Sequence, residues 1–190
     1  MLLRNRSLAV AALAGALSAA AWAQPTFDGF LCCNMRTDGS WISDSNYAES
    51  GKRLIPVGTP TRVTGYGRFR VHVELGGGKQ AIGNDYSRDL DLPTFARRYV
   101  VSEDPAQKIA GYPPKIRDAI KSARVTKGMT REQVFMAVGN PISSENPQLD
   151  APILRFWLSS FGEYQVLFDN AGRVREVTTD PQTRNLVVLD

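Results

Sequence analysis

The segment GMTREQVFMAVGNP, residues 128–141, carries both the start and the stop signals of one short helix. Thr130 is a preferred N-cap residue, and Gln133 three residues later completes the pattern of a capping box. Gly139 suits the residue that follows a helix, and Pro141 cannot continue one. These signals confine the helix to the residues between them. They explain the segment as structure, and no motif places any of these residues for chemistry.

The sequence around this helix predicts an α+β fold. Residues 115–124 have apolar side chains at helical spacing, which predicts a first helix before the capped one. Three strands are predicted after it, and the turn Asp169-Asn170-Ala171-Gly172 joins the last two. The tail, residues 180–190, has few signals, although residues 186–189 favour an edge strand. The predicted strands cover residues 153–159, 163–168 and 173–178.

Residues 24–88 predict a small, all-β module. The stretch RFRVHVEL, residues 68–75, alternates with a period of two, which is typical of a strand. Its apolar face contains Phe69, Val71, Val73 and Leu75. Three glycines then predict a turn, after which residues 79–83 return as the next strand.

Residues 89–114 predict a linker that contains a short helix. Pro93 suits the first turn of a helix that begins near Asp91. Residues 103–114 are polar and contain three prolines, which favours an irregular connection. The predicted order is therefore a β module at 24–88, a linker at 89–114, an ααβββ unit at 115–179 and a tail.

The N-terminus has the three parts of a secretory signal peptide at residues 1–23. Arg4 and Arg6 precede an apolar run, and Ala21-Trp22-Ala23 closes it with the small-residue pattern of a cleavage site. We expect a periplasmic protein with no transmembrane segment after cleavage. We do not expect a lipoprotein, because Cys32 lies well past the apolar run.

Charge argues against nucleic acid as a partner. Residues 24–190 contain 21 Lys and Arg against 19 Asp and Glu, a net charge of +2. Proteins that bind nucleic acid usually present a strongly basic face. The basic residues here are scattered along the chain.

Several residues resemble the SmpA/OmlA (BamE-like) family. The pattern GMT-x-x-x-V-x-x-x-x-G-x-P at residues 128–141 is followed by Trp157, by Y-x-V-x-F-D from Tyr164 and by G-R-V from Gly172. The resemblance spans residues 115–178. It implies two helices on a three-stranded antiparallel sheet, an architecture shared with β-lactamase inhibitor proteins. It also implies a role in outer-membrane protein assembly or envelope maintenance through contacts with envelope proteins.

The first module resembles bacterial SH3-like domains. Residues 57–63 (VGTPTRV) are similar to their entry strand, and residues 82–86 (IGNDY) are similar to their closing segment. This resemblance implies a second possible role, the binding of a peptide or of peptidoglycan.

Cys32 and Cys33 are the most unusual pair in the chain. Three alternatives are open in an oxidising compartment: a bond between the two neighbours, a bridge to another chain, or two buried thiols in a strand. A redox enzyme usually spaces its cysteines as C-x-x-C, which is absent here.

The sequence does not select a catalytic, cofactor-binding or metal-binding site. His72 is the only histidine, and its place opposite Val71 and Val73 predicts that it faces solvent or a module interface. With Cys32 and Cys33 it gives three metal ligands, whereas a structural zinc site uses four at recognised spacing. A thiol- or metal-dependent enzyme is a remote alternative to a binding protein.

Phe161 is the candidate partner contact. It lies in the predicted turn Ser159-Ser160-Phe161-Gly162, where its ring is either exposed or folded back onto the sheet. An exposed aromatic ring on a turn is a common anchor in protein interfaces.

Overall fold

The computed structural model describes residues 24–49 and 51–190. The fold is α+β, as predicted: a curled six-stranded sheet in the first half is followed by a three-stranded antiparallel sheet with helices. The predicted signal peptide, residues 1–23, lies outside the described residues. Within the described residues, no helix is long and apolar enough to cross a membrane.

The first half of the described chain builds the six-stranded sheet in the order β3-β7-β6-β5-β1-β8. Its pairs are antiparallel except β3–β7, which is parallel, and β2 pairs with β4 in a separate two-stranded ribbon. The elements are β1 (Phe27–Leu31), β2 (Met35–Thr37), β3 (Trp41–Ser43), β4 (Arg53–Ile55), β5 (Pro60–Gly67), β6 (Arg70–Leu75), β7 (Gly78–Gly83), α1 (Leu92–Tyr99) and β8 (Val100–Val101).

The alternation in RFRVHVEL produces strand β6 as predicted, with one difference. Val71, Val73 and Leu75 are buried in the first core, and a turn at Gly76 and Gly77 leads into β7. Phe69, however, lies in the turn between β5 and β6 and is 38 % exposed. The apolar pattern therefore extends one position beyond the buried face of the strand.

The segment predicted as a linker contributes to the first core. Asp91 caps α1 and Pro93 stands in its first turn, as expected. Phe95 and Tyr99 are fully buried in the first core, and β8 pairs with β1. A further helix follows, α2 (Pro105–Ala110).

The second half packs helices on the three-stranded sheet, whose strand order is β11-β10-β9. Apolar residues of the helices and strands form one buried cluster, which contains Ile120, Val134, Leu154 and Val166. The elements are α3 (Pro114–Lys121), α4 (Arg131–Val138), β9 (Ile153–Ser159), β10 (Gly162–Phe168), β11 (Val174–Thr178) and α5 (Pro181–Val187).

The start of α4 has the predicted capping box. Thr130 Oγ1 accepts a hydrogen bond from the Gln133 N–H, and Gln133 Oε1 accepts one from the Thr130 N–H. Met129 before the cap and Val134 after it are both fully buried.

The predicted edge strand at residues 186–189 is wrong. Residues Pro181–Val187 form helix α5, because the Asp180 carboxylate accepts hydrogen bonds from Gln182 N and Thr183 N and so caps the first turn. Val188 alone makes a bridge, which is parallel to Val125.

Two asparagines from the first half of the chain, Asn34 and Asn46, cap the C-terminal end of helix α4. We call these two residues the asparagine cap. The last four carbonyls of a helix have no partner inside it. Here Phe135 O accepts from Gly139 N, and Met136 O accepts from Asn34 N. The two side-chain amides complete the set: Asn34 Nδ2 donates to Ala137 O at 2.9 Å, and Asn46 Nδ2 donates to Val138 O at 2.8 Å.

Both residues of the asparagine cap are buried, and each uses both amide hydrogens and the amide oxygen in hydrogen bonds. Asn34 also donates to Ile120 O at the end of α3 and accepts from Val57 N. Asn46 donates to Asn34 O and accepts from Arg36 N. The cap therefore joins the ends of two helices to the loops of the first half.

Gly139 permits the close approach of the asparagine cap. Its φ of +92° is a conformation that favours glycine, and a Cβ there would lie 2.8 Å from Asn46 Nδ2. The predicted helix-stopping glycine thus also makes room for the residue that caps the helix.

We predict that Asn34→Ala destabilises the protein by about 2–4 kcal/mol, since it leaves the buried Ala137 O and the partly buried Val57 N without these partners. Urea denaturation followed by circular dichroism measures the change. Asn170→Ala is the matched control, because Asn170 is exposed in the turn after β10 and should change stability by less than about 0.5 kcal/mol. Equal effects of the two substitutions would contradict the role of the cap.

Candidate functional site

A cavity of about 450 Å³ lies where the end of β1 meets the helices of both halves. Cavities of this size commonly hold a small ligand or one side chain of a partner. Its walls come from the residue after β1, the end of α1, the start of α2 and one face of α4. The lining residues are Cys32, Arg98, Val101, Ser102, Glu103, Asp104, Pro105, Lys108, Glu132, Phe135, Met136 and Asn140.

Cys32 and Cys33 are joined to each other by a disulfide bond in the wall of this cavity. The structure thus adopts the first of the three alternatives that the sequence left open. Cys33 is fully buried in the first core, whereas Cys32 is half-buried and lines the cavity. Cys32 N also donates to Tyr99 O at 2.9 Å, which ties the disulfide to the end of α1.

Asn140 holds the second half against the disulfide. Its Nδ2 donates to Arg98 O at 3.1 Å and approaches Cys32 Sγ at 3.4 Å. Asn140 directly follows Gly139, so its position depends on where α4 ends. The sequence marked this end as a helix stop but gave no sign that the next residue reaches the disulfide.

Arg98 forms a further link across the cavity wall. Its Nη2 donates to Pro141 O at 2.5 Å, so α1 and the chain after α4 are joined a second time. Arg98 Nε is buried and has no hydrogen-bond acceptor among the described residues.

The rim of the cavity is charged and its inner wall is apolar. Lys108 Nζ and Glu132 Oε1 form an exposed ion pair at 3.0 Å that joins α2 to α4. The hydrogen bond that Lys108 donates to Glu132, together with the negative charge of Glu132, raises the pKa of Lys108. Inside the rim lie Val101, Phe135 and Met136. Apolar walls with a polar rim can hold an uncharged group, so the cavity is suited to binding.

His72 lies on the exposed side of β6, as predicted. Among residues 24–49 and 51–190, no group of three or more His, Cys, Asp or Glu side chains is arranged to hold a metal ion. The structure therefore does not bring His72 into a metal site with the two cysteines.

Phe161 lies at the tip of the turn between β9 and β10 and is 98 % exposed. Of the two positions expected for this ring, exposed or folded back onto the sheet, the structure shows the exposed one. The turn is held by the pairing of Gly162 with Ser159 and by Phe161 N, which donates to Ser159 Oγ at 3.3 Å.

Asp44 is a buried carboxylate in the first half that the sequence did not single out. It is 1 % exposed and accepts hydrogen bonds from Asp85 N and Tyr86 N. Burial raises the pKa of Asp44 to about 6, although these hydrogen bonds act in the opposite direction.

Comparison with protein-family models, with curated proteins and with solved structures finds no match to this chain. The resemblances to the SmpA/OmlA family and to SH3-like domains therefore stay predictions.

We predict that the disulfide withstands unfolding in the absence of a reductant. The protein purified from an oxidising compartment, denatured and treated with iodoacetamide, should take up no label, and its mass should be lower than that of the reduced form by two hydrogen atoms. After reduction of the folded protein, Cys32 should be labelled before Cys33, because only Cys32 reaches the cavity. Labelling without reduction, or a disulfide-linked dimer on a non-reducing gel, would contradict the intramolecular bond.

We predict that Asp44 makes stability fall as the pH rises. A carboxyl whose pKa is higher in the folded than in the unfolded protein binds its proton more tightly when folded. Its contribution is therefore fully present below about pH 4 and is lost as the pH rises through about 6, a fall of about 3 kcal/mol.

Denaturation of the wild type and of Asp44→Asn at several pH values tests this dependence. The substitution should remove this part of the pH profile, because an amide does not ionise in this range. Parallel profiles for the two proteins would show that Asp44 titrates normally.

Proposed function

We propose that this protein is a non-enzymatic component of the periplasm that binds a partner protein of the cell envelope. Its role would lie in outer-membrane protein assembly or in envelope maintenance. The observation that carries the proposal is the almost complete exposure of Phe161 on a well-anchored turn.

The exposed ring is a favourable anchor for a partner. Aromatic side chains bury a large apolar area on binding and are enriched among the residues that dominate interface energies. Phe161 stands out among the exposed large apolar residues of the described chain, since Leu186 follows at 58 %. Because this ring contacts water on nearly all sides, covering it with a partner buries more apolar area, and so contributes more binding free energy, than covering the other exposed residues.

The turn that carries Phe161 is fixed before any partner binds. Ala48 N donates to Leu158 O at 2.7 Å, so a loop of the first half supports β9 just before the turn. On the other side, Thr179 Oγ1 donates to Glu163 O at 2.6 Å and ties the start of β10 to the residue after β11. A preformed turn loses little conformational entropy on binding, which favours affinity.

The cellular location in this proposal rests on the sequence. The signal peptide predicts export, and the BamE-like pattern at residues 128–141 suggests the neighbourhood of the outer membrane. We further propose that the six-stranded sheet is a divergent SH3-like module and the second half a BamE-like unit. The order of two helices and three strands supports the second of these assignments.

Photo-crosslinking in cells tests the proposal. A photoreactive phenylalanine analogue at position 161 should give an adduct with an envelope protein. The same analogue at Asn170, in the turn at the opposite end of β10, is the matched control and should give no adduct.

The substitution Phe161→Ala should weaken capture of that partner by about tenfold or more, as expected for an interface anchor. Its stability should change by less than about 0.5 kcal/mol, because the ring is exposed. Absence of an adduct at position 161, with unchanged capture by Phe161→Ala, would refute this contact. Sedimentation with purified peptidoglycan that is unaffected by Phe161→Ala would favour the alternative role of the first half.

A further inference from the structure

The two-residue turn between β5 and β6 projects from one end of the six-stranded sheet. Arg68 and Phe69 form the turn, and Asn84 N donates to Phe69 O at 2.8 Å, which holds it against the end of β7. Next to it, Arg70 pairs with Gly83, over which the ring of Trp41 lies. We call Trp41, Arg68, Phe69, Arg70 and Arg88 the arginine–aromatic patch.

Each guanidinium of the patch lies over an aromatic ring. Arg88 Cζ is 4.4 Å and Arg68 Cζ is 5.3 Å from the centroid of Phe69. Arg70 Cζ is 4.9 Å from the ring of Trp41. Such cation–π contacts hold the arginines in place without using their N–H donors in ion pairs.

The charges of the patch are not neutralised by nearby carboxylates. Among the described residues, none of its three arginines has a carboxylate oxygen within 4.0 Å. Two acidic residues that flank Arg88 in the sequence accept hydrogen bonds from serines instead: Asp85 accepts from Ser43 Oγ, and Asp89 accepts from Ser143 Oγ. The patch therefore presents three free positive charges around a partly exposed ring.

We infer that the arginine–aromatic patch binds the phosphate groups of an anionic membrane surface. The planar fork of an arginine matches phosphate geometry, and each basic residue near an anionic lipid surface adds to the attraction. Phe69 at the tip supplies the apolar group that enters the interface between headgroups and acyl chains. This surface is separate from Phe161, so the inference does not depend on the proposed protein partner.

The arrangement of the rings favours a membrane over a single-stranded nucleic acid. Proteins that bind single strands use open aromatic faces on which bases stack. Here each ring has a guanidinium over its face, which leaves less open surface for a base. Binding to a lipid interface requires only that the ring enters the interface and that the arginines beside it carry positive charge.

Sedimentation with lipid vesicles tests the inference, with the exported protein purified from cells and its N-terminus determined by mass spectrometry. Wild type should bind vesicles of phosphatidylcholine with added phosphatidylglycerol, and should bind phosphatidylcholine alone far less. The double variant Arg68→Gln/Arg88→Gln should bind the anionic vesicles about tenfold or more weakly. Higher salt should weaken binding of the wild type.

The matched control is Arg53→Gln/Arg175→Gln, which removes the same charge from two exposed arginines outside the patch. It should bind anionic vesicles as the wild type does. Equal losses in the two double variants, or equal binding to neutral vesicles, would overturn the inference. Binding of soluble polyphosphate as tight as binding of the vesicles, at equal phosphate concentration, would also overturn it, because the patch would then show no preference for a membrane surface.

A second readout follows the aromatic ring. In the variant Phe69→Trp, the tryptophan emission should shift to shorter wavelength when anionic vesicles are added, beyond any change in the wild type. An unchanged emission under conditions of full binding would show that the tip does not enter the interface, and the inference would fail in this form.

Discussion

The C-terminal end of α4 is the constraint on which the rest of the structure depends. Helix α4 stops at Val138 because Gly139 turns the chain and Pro141 has no N–H to donate, which leaves carbonyls that need partners in a buried place. The asparagine cap, Asn34 and Asn46, supplies them from the first half of the chain. Buried polar groups are costly unless they are paired, so these hydrogen bonds fix how the two halves meet.

The cavity beside the disulfide follows from this junction. Asn34 lies directly after Cys33, so the residue that caps α4 also brings the disulfide to the face of that helix. On the helix side, Asn140 comes directly after Gly139 and reaches Cys32. The functional surfaces proposed here lie away from the junction, at the tips of hairpins in the two sheets. Each half thus presents its own surface, and the junction joins the two halves.

Much of the fold could be predicted from local signals, and the errors have a common source. The capping box was sufficient to predict where α4 begins, and the alternating pattern was sufficient to predict strand β6, because each signal depends only on nearby residues. The helices α2 and α5 were missed, although each begins with the pair Asp-Pro, at Asp104 and at Asp180. An aspartate cap followed by proline is a helix start signal. In these two short polar segments, however, the polar composition favoured an irregular structure over a helix.

The sequence by itself determined the type and order of most elements, the ends of α4 and the candidate position of Phe161. These properties depend on residues within a few positions of one another. Only the tertiary structure decided that Asn34 and Asn46 bond to helix carbonyls 103 and 92 residues away, and that three arginines and two rings share one end of a sheet. Such contacts join segments far apart in the chain, and a buried amide in a loop has no local pattern that identifies its partner.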